Sequence, residues 1–593
     1  MDRSTLTGFI LIGLILIVWI SINAPPPKHP APGKDSIAIG HQPRDTSKAA
    51  AFPKTEPVVV EDTLGKYFGP LAKGQEKTFE VETEHYLAKI STKGGTVRHW
   101  ELKEFRTWNK YPVNLINDEK RGDLNLLFYS SDGKRINTKN LYFETGMLSG
   151  KHVIMKGDSL SIDLVMNVSP HSRIVKRLVF YEDRYSFDVI YEFVGMNEII
   201  SNFEYQVTWE SGLSYAEHNS IDESSSAMAY ALAGGELTET DATRFDEPVR
   251  QNISGRIDWV ATRTKYFALA IIPKGSESQG AFLEGVRIKL PDNGAREDYN
   301  IALKMPFLGK DLETSRFSVF LGPLNFDIIR SYHVGLDQIM SLGAAWIIRP
   351  ISEYVMIPLF QFLHLFIPNY GFVIIVFSII IKVALHPLTK TSMTSMRKMQ
   401  GLQPMMNEIR EKYKDDPQKM NQQVMRLYKE YGVNPAGGCL PMLLQLPILY
   451  ALWAVFRSTI ELRQAAFIGW IHDLSIPDVV TSLPFSIPFF NITEVSGLAL
   501  LMGITMFVQQ KMTVKDPRQK MMVWLMPVML TLLFNSFPAG LNLYYFVFNL
   551  LSIAQQAWVN KQHKDEPLRK VEPKKKPGGL IGRIIKNLPK APR

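Results

Sequence analysis

The chain has almost no cysteine: Cys439 is the single cysteine among its 593 residues. A disulfide framework is therefore excluded, and so is a lipid-anchor cysteine after the first apolar stretch. The sequence also lacks a glycine-rich phosphate loop with Lys-Ser/Thr, and His85, His99, His171 and His218 lack the spacing of metal ligands. We expect surface histidines on a scaffold or binding domain, with no cofactor, no metal and no catalytic residue.

Long apolar runs, by contrast, are abundant. The first run extends from Leu6 to Ile22, and several more lie between Trp346 and Trp558. At about 1.5 Å per helical residue these runs are long enough to cross a hydrocarbon core of roughly 30 Å. The length of the chain and its mean hydropathy near zero indicate that one chain contains both soluble and membrane-embedded parts. The sequence therefore predicts an integral membrane protein.

The N-terminal run can be a cleaved signal peptide or a retained anchor. Pro25 follows Ala24 directly, and a proline after the cut disfavours cleavage at the only suitable small-residue site. We therefore expect a transmembrane anchor over residues 1–23. Residues 24–57 are rich in Pro, Ser and Ala and cannot bury enough apolar area to fold, so they are predicted to form a linker.

Between residues 58 and 343 the hydrophobic period changes to two. The segment Thr78 to Leu102 alternates through two runs broken by Gly94 and Gly95, and Arg173 to Gly195 reads as two strands around the turn Glu182-Asp183-Arg184. Many such segments without a helical pattern predict a large all-β antiparallel sandwich.

The C-terminal half is predicted to be helical. Residues 344–368 include the amphipathic stretch Arg349 to Phe366, which we expect to lie along the membrane interface, and residues 369–560 form a five-helix core. The expected spans lie at about 369–388, 436–457, 495–512, 521–537 and 539–558.

Residues 390–435 carry the signals of a helical hairpin inside this core. One helix is expected to run to about Tyr413, and a second begins with Asp416 as N-cap and Pro417 at its first position and ends near Gly432. The methionines of the hairpin suit either an adaptable apolar surface or packing between the two helices.

Charge predicts the topology. Lys and Arg are frequent in three segments: the hairpin, the connection Lys511 to Lys520 and the tail 561–593. The segment Ser458 to Phe490 has a single basic residue of this kind, Arg463. Since basic loops stay in the cytoplasm, we expect both termini and the hairpin to be cytoplasmic and the sandwich to be extracytoplasmic. The basic tail suits ribosomal RNA or anionic headgroups, or serves solubility and topology alone.

Polar residues recur within the expected spans. They share helix faces at spacings of three, four or seven residues, and Gln445 adds an amide in another span: Ser378 and Lys382; Thr505 and Gln509; Thr531 and Asn535; Asn542, Tyr545 and Asn549. These groups either join helices to one another or line a shared hydrated cavity. Lys382 either extends to the cytoplasmic headgroups or supplies a cation to that cavity.

Three functions fit a cationic cavity beside a sandwich. The cavity can receive acidic or polar protein segments, or it can conduct small anions as a secondary transporter or channel. In the third interpretation, the sandwich is an anchored carbohydrate enzyme. Transporters usually show repeats, which we do not find here, and the sandwich shows no paired-carboxylate site.

Five segments in order resemble the YidC membrane-protein insertases, relatives of the mitochondrial and chloroplast Oxa and Albino proteins. They include "IIIKVALHPLTKTSMTSMRKMQGLQPMMNEI", "YGVNPAGGCLPMLLQLPILYALW", "ELRQAAFIGWIHDLS", "MGITMFVQQKM" and "FPAGLNLYYFVFNLLSIAQQ". "KGGTVRHWEL", "DWVATRTKYFALAIIP" and "FLGPLNFDIIRSY" resemble the periplasmic domain of the long bacterial form, so the resemblance covers nearly the whole chain.

The resemblance implies a bacterial inner-membrane insertase and chaperone, not an enzyme, with a β-supersandwich in the periplasm. It implies a hydrophilic groove open to cytoplasm and lipid, whose basic residue corresponds to Lys382 and whose substrate-facing tyrosine corresponds to Tyr545. The family usually has arginine at the first position, so planar two-point recognition is in doubt here. The implied partners are nascent membrane proteins, the Sec translocon, the ribosome and lipids, and no DNA.

Overall fold

The computed structural model describes most of the chain. The described residues are 61–116, 123–210, 212–344, 346–433, 440–487, 490, 492–513, 520–562 and 570. The expected anchor, the linker and nearly all of the tail therefore lie outside the described residues. The chain divides into two compact units, Met1–Gly322 and Pro323–Arg593.

The first unit is rich in β-structure. Its strands are β1 (Thr78–Glu82), β2 (Tyr86–Ser91), β3 (Thr96–Arg106), β4 (Pro112–Asn114), β5 (Asn125–Ser130), β6 (Arg135–Asn137), β7 (Gly150–Val153), β8 (Ser159–Asn167), β9 (Arg173–Tyr181), β10 (Ser186–Val194), β11 (Ile200–Trp209), β12 (Met228–Ala233), β13 (Glu236–Thr240), β14 (Val249–Ser254), β15 (Ile257–Arg263), β16 (Phe267–Lys274), β17 (Gly280–Lys289), β18 (Ala295–Pro306) and β19 (Leu312–Pro323). Its α-helices are α1 (Glu61–Phe68) and α2 (Ser220–Ser224). Single 3-10 turns occur at Pro70–Ala72, Thr138–Asn140 and Pro291–Asn293.

The strands of the first unit form three sheets. Their orders are β4-β3-β2-β1-β7, β13-β12-β15-β16-β19-β10-β9-β8 and β14-β17-β18-β11-β5-β6. Nearly all described pairings are antiparallel, and β1 with β7 is parallel. Buried rings connect two of the sheets, because Trp100 of β3 packs 5.4 Å from Phe187 of β10 between ring centroids. The β-rich domain predicted from the alternating pattern is confirmed.

Two of the local turn predictions can be compared with the strands. The turn at Glu182 to Arg184 is confirmed, since it separates β9 from β10. The break at Gly94 and Gly95 is also confirmed, since it separates β2 from β3, but the first of the two expected runs is wrong as a single strand, because it forms both β1 and β2. The additional break occurs at Thr83, whose hydroxyl accepts hydrogen bonds from the backbone N–H groups of His85 and Tyr86 and so stabilises a tight turn.

A buried lysine lies inside the first unit. Lys176 Nζ donates hydrogen bonds to the carbonyl oxygens of Gly95 and Leu124, each at 2.6 Å. Burial lowers the pKa of Lys176 to about 7, and the nearby Asp123 opposes this shift.

The second unit is mainly helical. Its α-helices are α3 (Phe326–Arg330), α4 (Ile348–Ile351), α5 (Ile357–His364), α6 (Tyr370–Ala384), α7 (His386–Gly401), α8 (Gln403–Lys412), α9 (Pro417–Glu430), α10 (Leu440–Ser458), α11 (Gly497–Thr513), α12 (Lys520–Phe534) and α13 (Ala539–Gln562). A π-turn, Ser352–Met356, joins α4 to α5, and 3-10 turns occur at Leu336–Ile339 and Ile460–Leu462. Strands β20 (Val479–Ile487) and β21 (Ile492–Ser496) pair before α11.

The hairpin between α8 and α9 has the predicted start of its second helix. Asp416 is the N-cap of α9, and its side chain accepts a hydrogen bond from the Lys419 N–H at 3.0 Å. Side chains from both arms form a buried cluster: Leu402, Met406, Leu427, Tyr428, Tyr431 and Val433. Met406 therefore packs between the helices, as one of the two interpretations expects, whereas Met405 and Met425 are exposed. The adaptable apolar surface stays a prediction.

Contacts between helices define their relative directions. The Phe377 and Tyr544 rings lie 6.2 Å apart and Lys382 bonds Ser552, so α6 and α13 run parallel. In contrast, α11 and α12 run antiparallel, because the Ser496 N–H donates to Asn535 Oδ1 and the Phe507 ring packs on Trp524.

Within the part of the chain that the structure describes, no helix has both the length and the apolar character required to span a membrane. The five expected spans are not confirmed and stay a prediction.

Candidate functional site

Lys382 contacts α13. Its side chain is only 8% exposed, and Nζ donates a 2.6 Å hydrogen bond to Ser552 Oγ. The same ammonium lies 4.5 Å from the ring centroid of Phe548, within the range of a cation–π interaction. None of the ion pairs found in the described residues includes Lys382, so the described surroundings of this ammonium are a hydroxyl and an aromatic face.

Sequence reasoning missed Ser552, although a signal for it was present. Ser552 follows Asn549 by three residues and so extends the polar face of Asn542 and Tyr545. Its hydroxyl also donates to the Phe548 carbonyl at 2.7 Å. In this position Ser552 connects the polar face of α13 to the lysine of α6.

Ser378 makes a different contact from the one its spacing suggested. It is buried, and its hydroxyl donates to the Ile374 carbonyl of its own helix at 2.7 Å. The hydrogen bond is therefore local, and it does not connect Ser378 to Lys382.

The polar face of α13 contains buried groups without partners. Among the described residues no hydrogen bond reaches Asn542 Oδ1, the Tyr545 hydroxyl or Asn549 Nδ2, and the same holds for the Tyr544 hydroxyl and Gln555 Oε1. Asn542 Nδ2 does have a partner, the Phe534 carbonyl at 3.1 Å. Buried polar atoms in proteins nearly always find a partner, so this face requires water or a polar ligand.

Asn535 belongs to a separate polar network. Its Oδ1 accepts from the Ser496 N–H at 2.9 Å, and its Nδ2 donates to the Glu494 carbonyl at 2.7 Å. Next to it, the buried Asp478 accepts from the Leu498 N–H at 2.7 Å and from the Ser496 hydroxyl. These contacts hold the start of α11, which gives Asn535 a structural partner that its spacing from Thr531 did not indicate.

The remaining predicted residues do not join Lys382 through any hydrogen bond found in the described ranges. The buried Thr505 donates to the Met502 carbonyl of its own helix at 2.8 Å. Gln509 and Gln445 are half-buried on α11 and α10. The structure thus brings Lys382 to the face of α13, and it leaves Thr505, Gln509 and Gln445 outside this contact.

Two histidines of the first unit lie beside carboxylates. His85 lies 2.9 Å from Glu104, and His99 lies 3.4 Å from Glu101. Across the described ranges, no set of three or more His, Cys, Asp and Glu side chains is arranged to hold a metal ion.

Two family models match this chain. The model described as the 60Kd inner membrane protein matches residues 362–566, and the YidC periplasmic domain matches residues 78–353. The membrane protein insertase YidC of Chlorobaculum parvum is 38% identical over 573 residues, which cover 95% of this chain and 96% of that protein. The YidC of Chloroherpeton thalassium is 39% identical over 581 residues, covering 96% and 97%.

A solved structure is also similar. It is the active YidC insertase crystal structure with the first transmembrane domain resolved. The match covers 82% of this chain and 93% of the chain in that structure, with 20% sequence identity and a TM-score of 0.35.

Proposed function

Because this chain belongs to the YidC family of membrane protein insertases of the bacterial inner membrane, we propose that its helical unit accepts polar segments of nascent membrane proteins along α13. The family inserts proteins into the membrane and is not enzymatic. In our proposal, the polar segment enters from the cytoplasm beside Lys382, and its apolar neighbour moves into lipid.

The observation that carries this proposal is the set of buried, unpaired polar atoms on α13. Asn542 and Ser552 mark the two ends of its polar face and are ten residues apart, which corresponds to roughly 15 Å along a helix. A buried amide or hydroxyl without a partner costs roughly 1–3 kcal/mol. A polar client segment, or the water that precedes it, would remove this cost by supplying donors and acceptors.

Lys382 supplies positive charge at one end of this face. Its hydrogen bond to Ser552 and its contact with Phe548 hold the ammonium against α13. A lysine ammonium has three donors, so it can bind a client carboxylate while retaining Ser552. We infer a point-charge receptor for acidic or polar segments, since lysine lacks the planar fork of arginine.

The driving force in this mechanism is burial of the client's apolar helix in lipid. Each buried methylene contributes about 0.8 kcal/mol, so a helix of roughly twenty apolar residues outweighs the transient exposure of a short polar segment. Neither a nucleotide nor a metal has a step to perform in this scheme.

We place both termini and the α8–α9 hairpin in the cytoplasm and the first unit in the periplasm. The parallel α6 and α13 agree with five successive spans, because the first and the fifth would cross in the same direction. The sides are assigned from the charges of the loops. The Sec translocon, the ribosome and lipids complete the proposed partners, with the basic tail as the contact for ribosomal RNA or headgroups.

The test is photocrosslinking of ribosome-stalled membrane-protein chains to a photoreactive residue in the full-length insertase. Probes at Tyr545 and Asn549 should crosslink the polar segment of the client, whereas a probe at Leu550, which is 43% exposed on another face of α13, should not. Equal crosslinking from all three positions would contradict a polar path along α13.

A further inference from the structure

A cleft of about 560 Å³ lies in the second unit among α3, α5, the start of α6 and the end of α10. A cavity of this size is typical of small-molecule sites. Its walls are mainly apolar, and its polar groups belong to Asn325, Asp327, Gln361, His364, Tyr370, Thr459 and Glu461. None of the residues proposed for client binding lines it.

Glu461 is the central polar group of this cleft. Its Oε1 accepts a 2.8 Å hydrogen bond from Asn325 Nδ2, while Oε2 is buried and accepts none from the described residues. Burial raises the pKa of Glu461, and the charge of Asp327 acts in the same direction. A buried carboxylate oxygen without a donor is costly, so this group favours the arrival of a cationic donor.

The second carboxylate has one neutral partner. Asp327 is exposed, and its Oδ2 accepts a 2.6 Å hydrogen bond from Gln361 Nε2. No Lys or Arg is among the described residues that line the cleft. The ring of His364 stacks on Tyr370, and its Nδ1 lies 3.2 Å from the Ile367 carbonyl. Among its described lining residues, the cleft therefore has two acidic groups and no lysine or arginine to balance them.

The walls indicate what kind of cation fits. Ile357, Phe360 and Leu462 line the cleft. Phe362 of α5 and Leu365, the C-cap of α5, also line it and are 56% and 79% exposed. A ligand with both an ammonium group and acyl chains would contact the carboxylates and these apolar residues together. A primary ammonium donates three hydrogen bonds, whereas a quaternary choline donates none.

We propose that this cleft binds the ethanolamine headgroup of a phospholipid, with its ammonium on Glu461 and Asp327 and its acyl chains along α5. The site is separate from the client path along α13, so lipid binding and insertion can succeed or fail independently. Its occupation would attach the amphipathic α5 to the surrounding bilayer.

The experiment is native mass spectrometry of the purified full-length protein, titrated with phosphatidylethanolamine or with phosphatidylcholine of the same acyl chains. The wild type should bind phosphatidylethanolamine roughly tenfold more tightly, the scale of one charge-assisted hydrogen bond. Glu461→Gln should lose this preference. Glu494→Gln changes an exposed carboxylate outside the cleft and should retain it.

Asp327→Asn is the second variant, because its exposed side chain can change without burying a new group. It should weaken the preference for phosphatidylethanolamine, and it decides the test if Glu461→Gln does not fold. Equal affinity of the wild type for the two lipids would overturn the proposal, as would a preference unchanged in a folded Glu461→Gln protein and in Asp327→Asn. Binding of a lysine-containing peptide in place of either lipid would identify a protein cation as the occupant and also contradict the lipid site. Insertion activity is measured separately and does not decide this question.

Discussion

Lys382 and Ser552 are joined by a 2.6 Å hydrogen bond although 170 residues separate them in the chain. The bond connects two parallel helices at the end of the polar face of α13. It places the Lys382 ammonium at one end of the polar face, where buried polar atoms of Asn542, Tyr545 and Asn549 have no hydrogen-bond partner among the described residues. This relationship makes the client path testable by single substitutions.

The bond itself can be tested with Ser552→Ala. Loss of a hydrogen bond to a charged group should lower the free energy of unfolding by roughly 1.5–3 kcal/mol, and insertion should fall less than it does when Lys382 is removed. Thermal unfolding of the purified protein and an insertion assay provide the two measurements. Ser378→Ala is the matched control, because its hydroxyl bonds only within its own helix; equal effects of both changes would contradict a special role for Ser552.

The charge of Lys382 should matter more than its shape. Lys382→Arg should retain insertion, and Lys382→Ala or Lys382→Glu should impair it, most for clients with acidic segments. A double-mutant cycle between Lys382→Ala and neutralised client carboxylates measures the coupling as the fraction of client tail that reaches the far side. If the two changes have additive effects in a folded protein, Lys382 is not a receptor for client carboxylates, and its role is only to hydrate the cavity or to anchor the helix. Anion flux into proteoliposomes without insertion would instead support the transporter alternative.

The buried Lys176 predicts a pH dependence in the first unit. Its folded pKa is about 7, below the ordinary lysine value of about 10.4. The unfolded chain therefore binds more protons between these values, and stability should rise with pH across this window. Lys176→Met should remove that rise. Near-UV circular dichroism can monitor the unfolding of the β-rich unit in the full chain at several pH values. If this explanation is wrong, the free energy of unfolding will change with pH equally in the wild type and in Lys176→Met.

The basic tail should bind ribosomes through phosphate contacts. Truncation after Lys561 should weaken ribosome binding at low salt, and the wild-type interaction should weaken as salt rises, because counterions are released from phosphates. Cosedimentation with ribosomes measures this. Lys570 of the tail lies 3.3 Å from Glu430 in an exposed ion pair, which should contribute little to stability. Unchanged binding by the truncated chain would exclude the ribosome contact.

The proposed topology rests on the charges of the loops and can be tested directly. A cysteine label or protease site at Lys412 in the hairpin should be accessible from the cytoplasm, and one at Trp470 should be accessible from the periplasm. Fusions that place Lys412 outside would overturn the proposed orientation.

Local chemistry explains which features could be predicted from the sequence. Asp416 and Pro417 define the start of α9 through bonds that span three residues, and Glu182 to Arg184 separates two strands that pair directly across the turn. The polar face of α13 follows from helical spacing within a single element. These features depend on neighbours in the chain, so the amino-acid order alone determines them.

The tertiary structure decided the partners of the polar groups. Ser552 receives the lysine, Asn535 binds Ser496 and Glu494 instead of extending the client path, and Glu461 meets Asn325 at the cleft, 136 residues away. Helical spacing specifies the face on which a side chain lies, but not which helix packs against that face. That choice depends on packing between distant elements, where a hydrogen bond forms only if two backbones approach closely enough.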